Sequence, residues 1–254
     1  MRVSRYGVTR QSSWRFALAV LCLTALAAIC HALEVPTAAD AKISVTRLVY
    51  LESEDGIDAF ENQYLFTDHY LRISDPDDAS GYILFDANEN TIYSVSYFDK
   101  SILVIPMYPL KEISKDYRAD IRFEKLQDAP LINGRPVYSY RVSAIPLGGG
   151  KALVCADIQL VPDLLPAIAD MLRRYMQVLS SQQRMNLEKT PPELRTLCFL
   201  QDQVFNTGEY YRKGLPVREW HYSGKQRLLL DFSEVKVDSS LFALPSDYTR
   251  FSIE

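Results

Sequence analysis

Histidine is scarce in this chain, with three residues in 254, and cysteine is nearly as scarce, with four. Neither comes at a spacing that carries chemistry. There is no His-Glu-x-x-His and no Gly-x-Ser-x-Gly, which removes the recognisable zinc-peptidase and serine-hydrolase arrangements. There is no Cys-x-x-Cys, so nothing points to a dithiol redox centre. No apolar run reaches the roughly 20 residues that a membrane-spanning helix needs. Internal repeats, heptads and low-complexity tracts are also missing, which excludes solenoids and coiled coils. What remains is ordinary globular composition, 48% apolar and 24% charged, enough for a sizeable core.

The first 32 residues stand apart. Arg2, Arg5, Arg10 and Arg15 make a basic start, Phe16 to Ile29 is apolar or small apart from Thr24, and Cys30-His31-Ala32 supplies small residues at −3 and −1 of a signal-peptidase site. Basic, apolar, then small is the order of a secretory signal, so residues 1–32 are predicted to be a cleavable signal peptide and the protein periplasmic, with cleavage near Ala32. An uncleaved anchor and a lipid-modified Cys30 are the alternatives, the latter disfavoured by the bulky Ile29 before it. After cleavage no stable membrane span is expected. The signal holds four of the 28 Lys and Arg and none of the 32 Asp and Glu, so the remainder is acidic by eight charges. Such a chain has no net attraction for phosphate backbones, and nucleic acid is not expected as a partner. Cys22 and Cys30 leave with the signal. Cys155 and Cys198 remain in an oxidising compartment, where one disulfide is the simplest outcome, against two free thiols or an intermolecular bridge.

Residues 33–43 read as a linker into a single domain over 44–254. Period-two alternation dominates to about residue 160. Strands are predicted at Val45–Leu51, Gln63–Ile73, Tyr82–Phe85, Thr91–Phe98, Ile102–Ile105, 120–126, 136–144 and 152–160. The turns between the early strands are too short for crossover helices, so that stretch is an antiparallel meander. Asn133-Gly134 suits a tight hairpin turn. At Pro162 the period changes. Leu164, Leu165, Ile168, Met171, Leu172, Tyr175, Met176 and Leu179 recur at three and four, an amphipathic helix over about 163–185 with Asp163 as N-cap. A second helix is expected from Glu193 to about Phe205, so the helical insert covers about 163–206. Strands resume at Glu209–Lys213, Val217–Tyr222 and Arg227–Val237, and Leu241-Phe242-Ala243-Leu244-Pro245 forms an apolar clip.

Candidate sites are few. His69 and His221 each fall in a predicted strand, and Asp68-His69 point to opposite faces there, a poor acid–base pair. Gly148-Gly149-Gly150-Lys151 lacks phosphate-loop spacing and reads as an interstrand loop. Asp75-Pro76-Asp77-Asp78 lacks a third ligand and the turn glycine of a calcium loop and reads as an acidic turn. No catalytic residue, metal or cofactor is assigned. Aromatic surface is enriched instead: fifteen of the sixteen tyrosines follow the signal. A phenol ring with a polar tip suits a core edge or the wall of an amphipathic cavity. The candidate cavity residues are Tyr64, Phe66, Tyr82, Leu84, Tyr93, Val95 and Tyr97 from the strands, and Leu172, Tyr175, Met176 and Leu179 from the helix.

Three segments together resemble the LolA/LolB-like lipoprotein-carrier superfamily, in its uncharacterised exported branch. They are Asp68-His69-Tyr70-Leu71-Arg72-Ile73 with the strands at Tyr82–Asp86 and Thr91–Val95; Gly214-Leu215-Pro216-Val217 before a Trp-bearing hairpin; and Ser240 to Tyr248 with its Leu-Phe, Pro and Tyr. The resemblance implies an α+β, mostly antiparallel fold: a curved, open half-barrel of ten or eleven strands with a helical pair on its concave face. The chain departs from the carriers proper in its long helix and its Cys155/Cys198 pair, and no lipid-contacting residue is carried over. The expected function is non-enzymatic binding of a hydrophobic ligand, meaning an acyl chain, lipid or lipidated partner. The alternatives are an envelope adaptor with a filled core, which presents an edge strand or acidic face to an envelope protein, and a hydrolase with an unrecognised site.

Overall fold

Alternating residues build twelve strands: β1 Lys42–Glu54, β2 Ile57–Phe66, β3 Tyr70–Ser74, β4 Gly81–Asp86, β5 Thr91–Ser96, β6 Ser101–Pro106, β7 Tyr117–Lys125, β8 Tyr138–Pro146, β9 Leu153–Val161, β10 Leu215–His221, β11 Gln226–Asp238 and β12 Thr249–Ser252. The structure is a computed structural model that describes residues 41–110 and 112–252, so the predicted signal and most of the predicted linker lie outside the described residues. All twelve strands join one open sheet in the order β12-β6-β5-β4-β3-β2-β1-β11-β10-β9-β8-β7. Two antiparallel meanders, β1–β6 and β7–β11, meet where β1 pairs with β11. The short β12 adds in parallel to the edge strand β6.

Chain length explains why the sheet curves. Ten inter-strand spacings separate β6 from β7, about 48 Å across a flat sheet. The connection from Pro106 to Tyr117 spans at most about 40 Å when fully extended. The sheet must therefore curl, and early in this connection the Tyr108 N–H donates to Ser181 Oγ of the long helix at 3.0 Å. Register shifts at Val49/Tyr50, Glu52/Glu54, Pro216/Arg218 and Val142/Ser143 help the bend, since a bulge bends its strand and increases local twist. The result is the α+β, curved half-barrel expected from sequence, with one or two more strands.

The helix α1, Pro166–Asn186, lies on the inner face. Its buried Ile168, Leu172 and Val178 pack with Leu48, Tyr50, Phe66 and Phe85 in the larger core. A smaller core on the outer face joins Val45, Leu65, Tyr82, Leu84, Tyr93, Val95 and Ile102 to Phe242 of the tail clip. Arg72 secures that clip: it lies 3.5 Å from the Tyr82 ring centre and donates to the Leu241 carbonyl at 3.0 Å. The disulfide Cys155–Cys198 ties β9 to the short helix α2, Leu197–Phe199, and to the wide helical turn Leu200–Val204 that continues it.

Several local expectations are corrected. The strand predicted over Gln63–Ile73 is a hairpin. Thr67-Asp68-His69 turn the chain, with the Thr67 N–H donating to the Tyr70 carbonyl at 2.9 Å and Thr67 Oγ1 accepting from Tyr70 N–H. His69 is therefore an exposed turn residue. The turn also reverses side-chain parity, so Leu71 and Ile73 share the inner core with Tyr64 and Phe66. Asp163 does not cap α1. Asp163 and Leu165 both adopt positive φ (56° and 47°), which turns the chain sharply into the helix, and Pro166 takes the first position, where its fixed φ and missing N–H suit it. The second predicted helix is broken. A 3-10 turn at Pro192–Leu194 stops before Thr196, whose Oγ1 caps the Phe199 N–H at 3.1 Å.

Glu209–Lys213 is a 3-10 turn rather than a strand. Tyr210 and Tyr211 are both buried with ring centres 4.4 Å apart, a pairing that a strand would send to opposite faces. Lys42 and Ile43, read as linker, already pair with Asp238 and Val237. Asn133 and Gly134 make the expected hairpin turn, with φ of 49° and 73°. Gly81 is required by close approach, since a Cβ there would lie 1.9 Å from the Val95 carbonyl oxygen.

Candidate functional site

The inner face is not an empty trough. Its centre is filled by α1 and by a buried chain of polar side chains; open space remains at the two ends. The chain of polar groups starts on β10, where the inward positions after Leu215 and Val217 are Glu219 and His221. Register sets Glu219 opposite Arg227 of β11. The Arg227 guanidinium pairs with Glu219 Oε1, donates to Tyr211 Oη at 2.9 Å and to Tyr64 Oη at 3.3 Å, and lies 4.6 Å from the Tyr50 ring centre. Tyr64 Oη in turn donates to Glu52 at 2.7 Å, and Lys225 Nζ stands 3.8 Å from Glu52. At the other end His221 Nε2 meets Glu219 at 3.3 Å, and Nδ1 meets both oxygens of Asp202 at 2.9 and 3.0 Å.

These contacts set the protonation states. Burial works against the charge on His221, but Asp202 and Glu219 more than offset it and push the imidazole up to about 9. Burial likewise opposes ionisation of Glu219, yet Arg227 and His221 hold it down to about 2. Tyr50, Tyr64 and Tyr211 are pushed up, first by burial, with Arg227 pulling the other way. An imidazolium held on both nitrogens by carboxylates has no lone pair to offer as a base, so the arrangement at His221 is that of a structural ion cluster.

A pH dependence follows. His221 is bound more tightly as a cation when folded, so its contribution is complete below the ordinary histidine value near 6.5 and is lost as pH rises through about 9. Chemical denaturation between pH 6 and 10 is expected to show stability falling with pH, and a His221→Gln variant should lack most of that slope. Glu219 acts in the opposite sense: its share is present above 4.5 and is lost as pH falls toward 2.

The larger opening, about 780 Å³, lies at the amino-terminal end of α1. It opens at the strand ends where the two cores meet: Ile43 and Val45 of β1 and Phe242 of the clip, from the outer core, join Phe66 of β2 and Ile168 and Met171 of α1, from the inner, to give it apolar walls. Thr46, Asp68, His69 and Glu234 border it, and Thr46 Oγ1 donates to Glu234 Oε1 at 2.5 Å. A second opening of about 360 Å³ lies at the far end of the inner face, between β7–β9 and the segment that carries Gln201, Asp202 and Phe205.

The eleven candidate cavity residues fall into two groups. Tyr64, Phe66, Leu172, Tyr175, Met176 and Leu179 meet on the inner face. Tyr82, Leu84, Tyr93 and Val95 belong to the outer core, and the Tyr97 ring lies 5.7 Å from that of Tyr82. Of the eleven, Phe66 alone borders the 780 Å³ opening; Tyr82 and Val95 border a separate, open depression of about 370 Å³. Ile168, Met171 and Phe242 were visible in the helix stripe and the clip. Ile43 and Val45 become wall residues only through the fold-back of β11 and the tail. Among the described residues no group of three or more His, Cys, Asp or Glu side chains is arranged to hold a metal ion, and no helix is long and apolar enough to cross a membrane.

Comparison with protein-family models finds no match, and comparison with curated proteins finds none. Among solved structures, the chain is similar to an uncharacterized conserved protein from Thermus thermophilus, at 8% identity and a TM-score of 0.40, over 82% of this chain and 90% of that one. It is also similar to PNGF-II in a C2 crystal form, at 9% identity and a TM-score of 0.38, over 84% of this chain and 31% of that one, so it spans about a third of PNGF-II. Likenesses this distant assign no family, fold relationship or function.

Proposed function

We propose that this chain is an exported, non-enzymatic envelope protein that holds a hydrophobic ligand, an acyl chain, lipid or lipidated partner, at the amino-terminal end of α1. The observation that carries this reading is the cavity of about 780 Å³ with apolar walls and a polar rim. Its size falls within the roughly 300–1,000 Å³ usual for small-molecule sites. Met171 gives its wall an unbranched, polarisable side chain that adapts to varied partners. The disulfide and the signal-like amino terminus support a periplasmic setting, and the resemblance to LolA/LolB-like carriers supports the ligand class.

Ala167 provides the test. It borders the cavity but is itself exposed, so Ala167→Trp fills the opening from its mouth without removing core atoms. Uptake of the neutral fluorophore N-phenyl-1-naphthylamine is expected to fall at least about tenfold in Ala167→Trp, a loss of about 1.4 kcal/mol, with the melting temperature little changed. Equal uptake by both proteins contradicts the reading.

A second reading, an envelope adaptor, is favoured by one observation. Trp220, Leu228 and Leu230 stand 39%, 42% and 47% exposed on the outer face of the adjacent strands β10 and β11. A stable complex recovered by crosslinking in envelope fractions, and lost in Trp220→Ser, selects it.

A further inference from the structure

The 360 Å³ opening has two acidic and two basic residues in its wall, and the two signs are not equally paired. Its acidic wall residues are already committed: Asp202 to His221, and Glu209 to Arg212 at 2.9 Å. Its two basic residues are not. Lys115 Nζ lies 4.3 Å from the Phe205 ring centre, and the Arg184 guanidinium carbon lies 5.2 Å from the same ring. Arg184 Nε donates to the Val204 carbonyl at 2.9 Å. Among the described residues, neither cation meets a carboxylate.

The remaining polar groups lean the same way. Gln201 accepts from Tyr117 Oη at 3.1 Å, and Asn206 accepts from Gly208 N–H at 2.9 Å, so each amide is oriented through its oxygen, and its NH2 group is a donor for an anion. Behind these donors the wall is apolar, with Val142, Ala156 and Ile158. Burial, then the charge of Arg184, hold the Lys115 ammonium below its ordinary range. Two cations crowd one ring without a counter-charge.

We infer that this opening is a second binding site, specific for a small molecule that bears an anionic group, a carboxylate, phosphate or sulfonate, on an apolar body. The anion sits between Lys115 and Arg184, and the body runs in against β8 and β9. The site is independent of the cavity proposed above. The two openings share no lining residue, and Met171 and Arg184 stand thirteen residues apart on α1, about 20 Å along its axis.

The probe is 1-anilinonaphthalene-8-sulfonate, compared with N-phenyl-1-naphthylamine, which has the same ring skeleton without the sulfonate. In the full chain, titration is expected to show a sulfonate-dependent site that weakens at high ionic strength. A Lys115→Gln/Arg184→Gln variant should weaken that site at least about tenfold, given the strength of hydrogen bonds to charged groups. It should leave uptake of the neutral probe unchanged. Lys115→Arg/Arg184→Lys, which keeps both charges, should retain the site, and so should Ala167→Trp. Equal sulfonate affinity in wild type and the glutamine variant overturns the inference. So does equal loss in the charge-conserving variant, which means a packing role. Loss of the sulfonate site in Ala167→Trp assigns it to the larger cavity and also overturns it.

Discussion

An Arg227→Met variant is expected to lose about 3–5 kcal/mol of unfolding free energy, the cost of removing one partner from a buried ion pair. The basis is how completely Arg227 is used. It neutralises Glu219, donates to Tyr211 and Tyr64, and covers Tyr50, all inside the sheet. Methionine approaches the length of the side chain and keeps some packing, but leaves the Glu219 carboxylate with His221 alone. For a domain of this size the loss corresponds to a drop of roughly 6–20 °C in melting temperature. Arg227→Met/Glu219→Leu should regain much of it, because removing both charges leaves no unpaired ion and His221 keeps Asp202. Calorimetry on the single and double variants measures both numbers. A single variant that melts within a degree or two of wild type, or a double variant worse than the single, contradicts the ion-cluster account.

Removing the disulfide is the second large effect. Cys155 and Cys198 are 43 residues apart in sequence. Chain entropy values the closure of such a loop at about 4 kcal/mol. The loop contains α1, so the unfolded chain gains freedom in the very segment that covers the sheet. Cys155→Ala/Cys198→Ala is expected to lower the unfolding free energy measured in urea by that amount. The slope should rise modestly, because a released loop exposes more surface on unfolding. Under reducing conditions the wild type should approach the variant. A variant as stable as the oxidised wild type rules out a stabilising bond.

Much of the fold was legible because strands and helices differ in period. The antiparallel meanders, the Asn133-Gly134 turn, the long helix with its Ile168 and Leu172 side inward, and the clip at Phe242 all follow from local pattern. The errors lie where a local rule competes with a nearby constraint. Over Gln63–Ile73 the alternation runs on through a turn of polar residues, so two strands read as one. Tyr210 and Tyr211 look like strand residues by type, but both are needed in the core beside Arg227.

The candidate site was less legible than the fold. The aromatic residues, read as candidate cavity walls, divide between two faces of one sheet, with Tyr97 exposed, and which face each joins depends on long-range pairing. The ion cluster did leave one local trace: Glu219 and His221 occupy the inward positions that Leu215 and Val217 begin. Charged residues at core parity, with a basic residue across a short hairpin, are the signal by which such a cluster can be found.

Native mass spectrometry of the protein after gentle extraction from envelope fractions tests the central claim most directly. Wild-type protein is expected to carry an added mass in the lipid range that collisional activation releases, while Ala167→Trp appears only at the mass of its polypeptide. A wild-type spectrum of bare polypeptide that stays bare after incubation with lipid vesicles contradicts a ligand-holding role for the cavity between Val45, Phe66 and Met171.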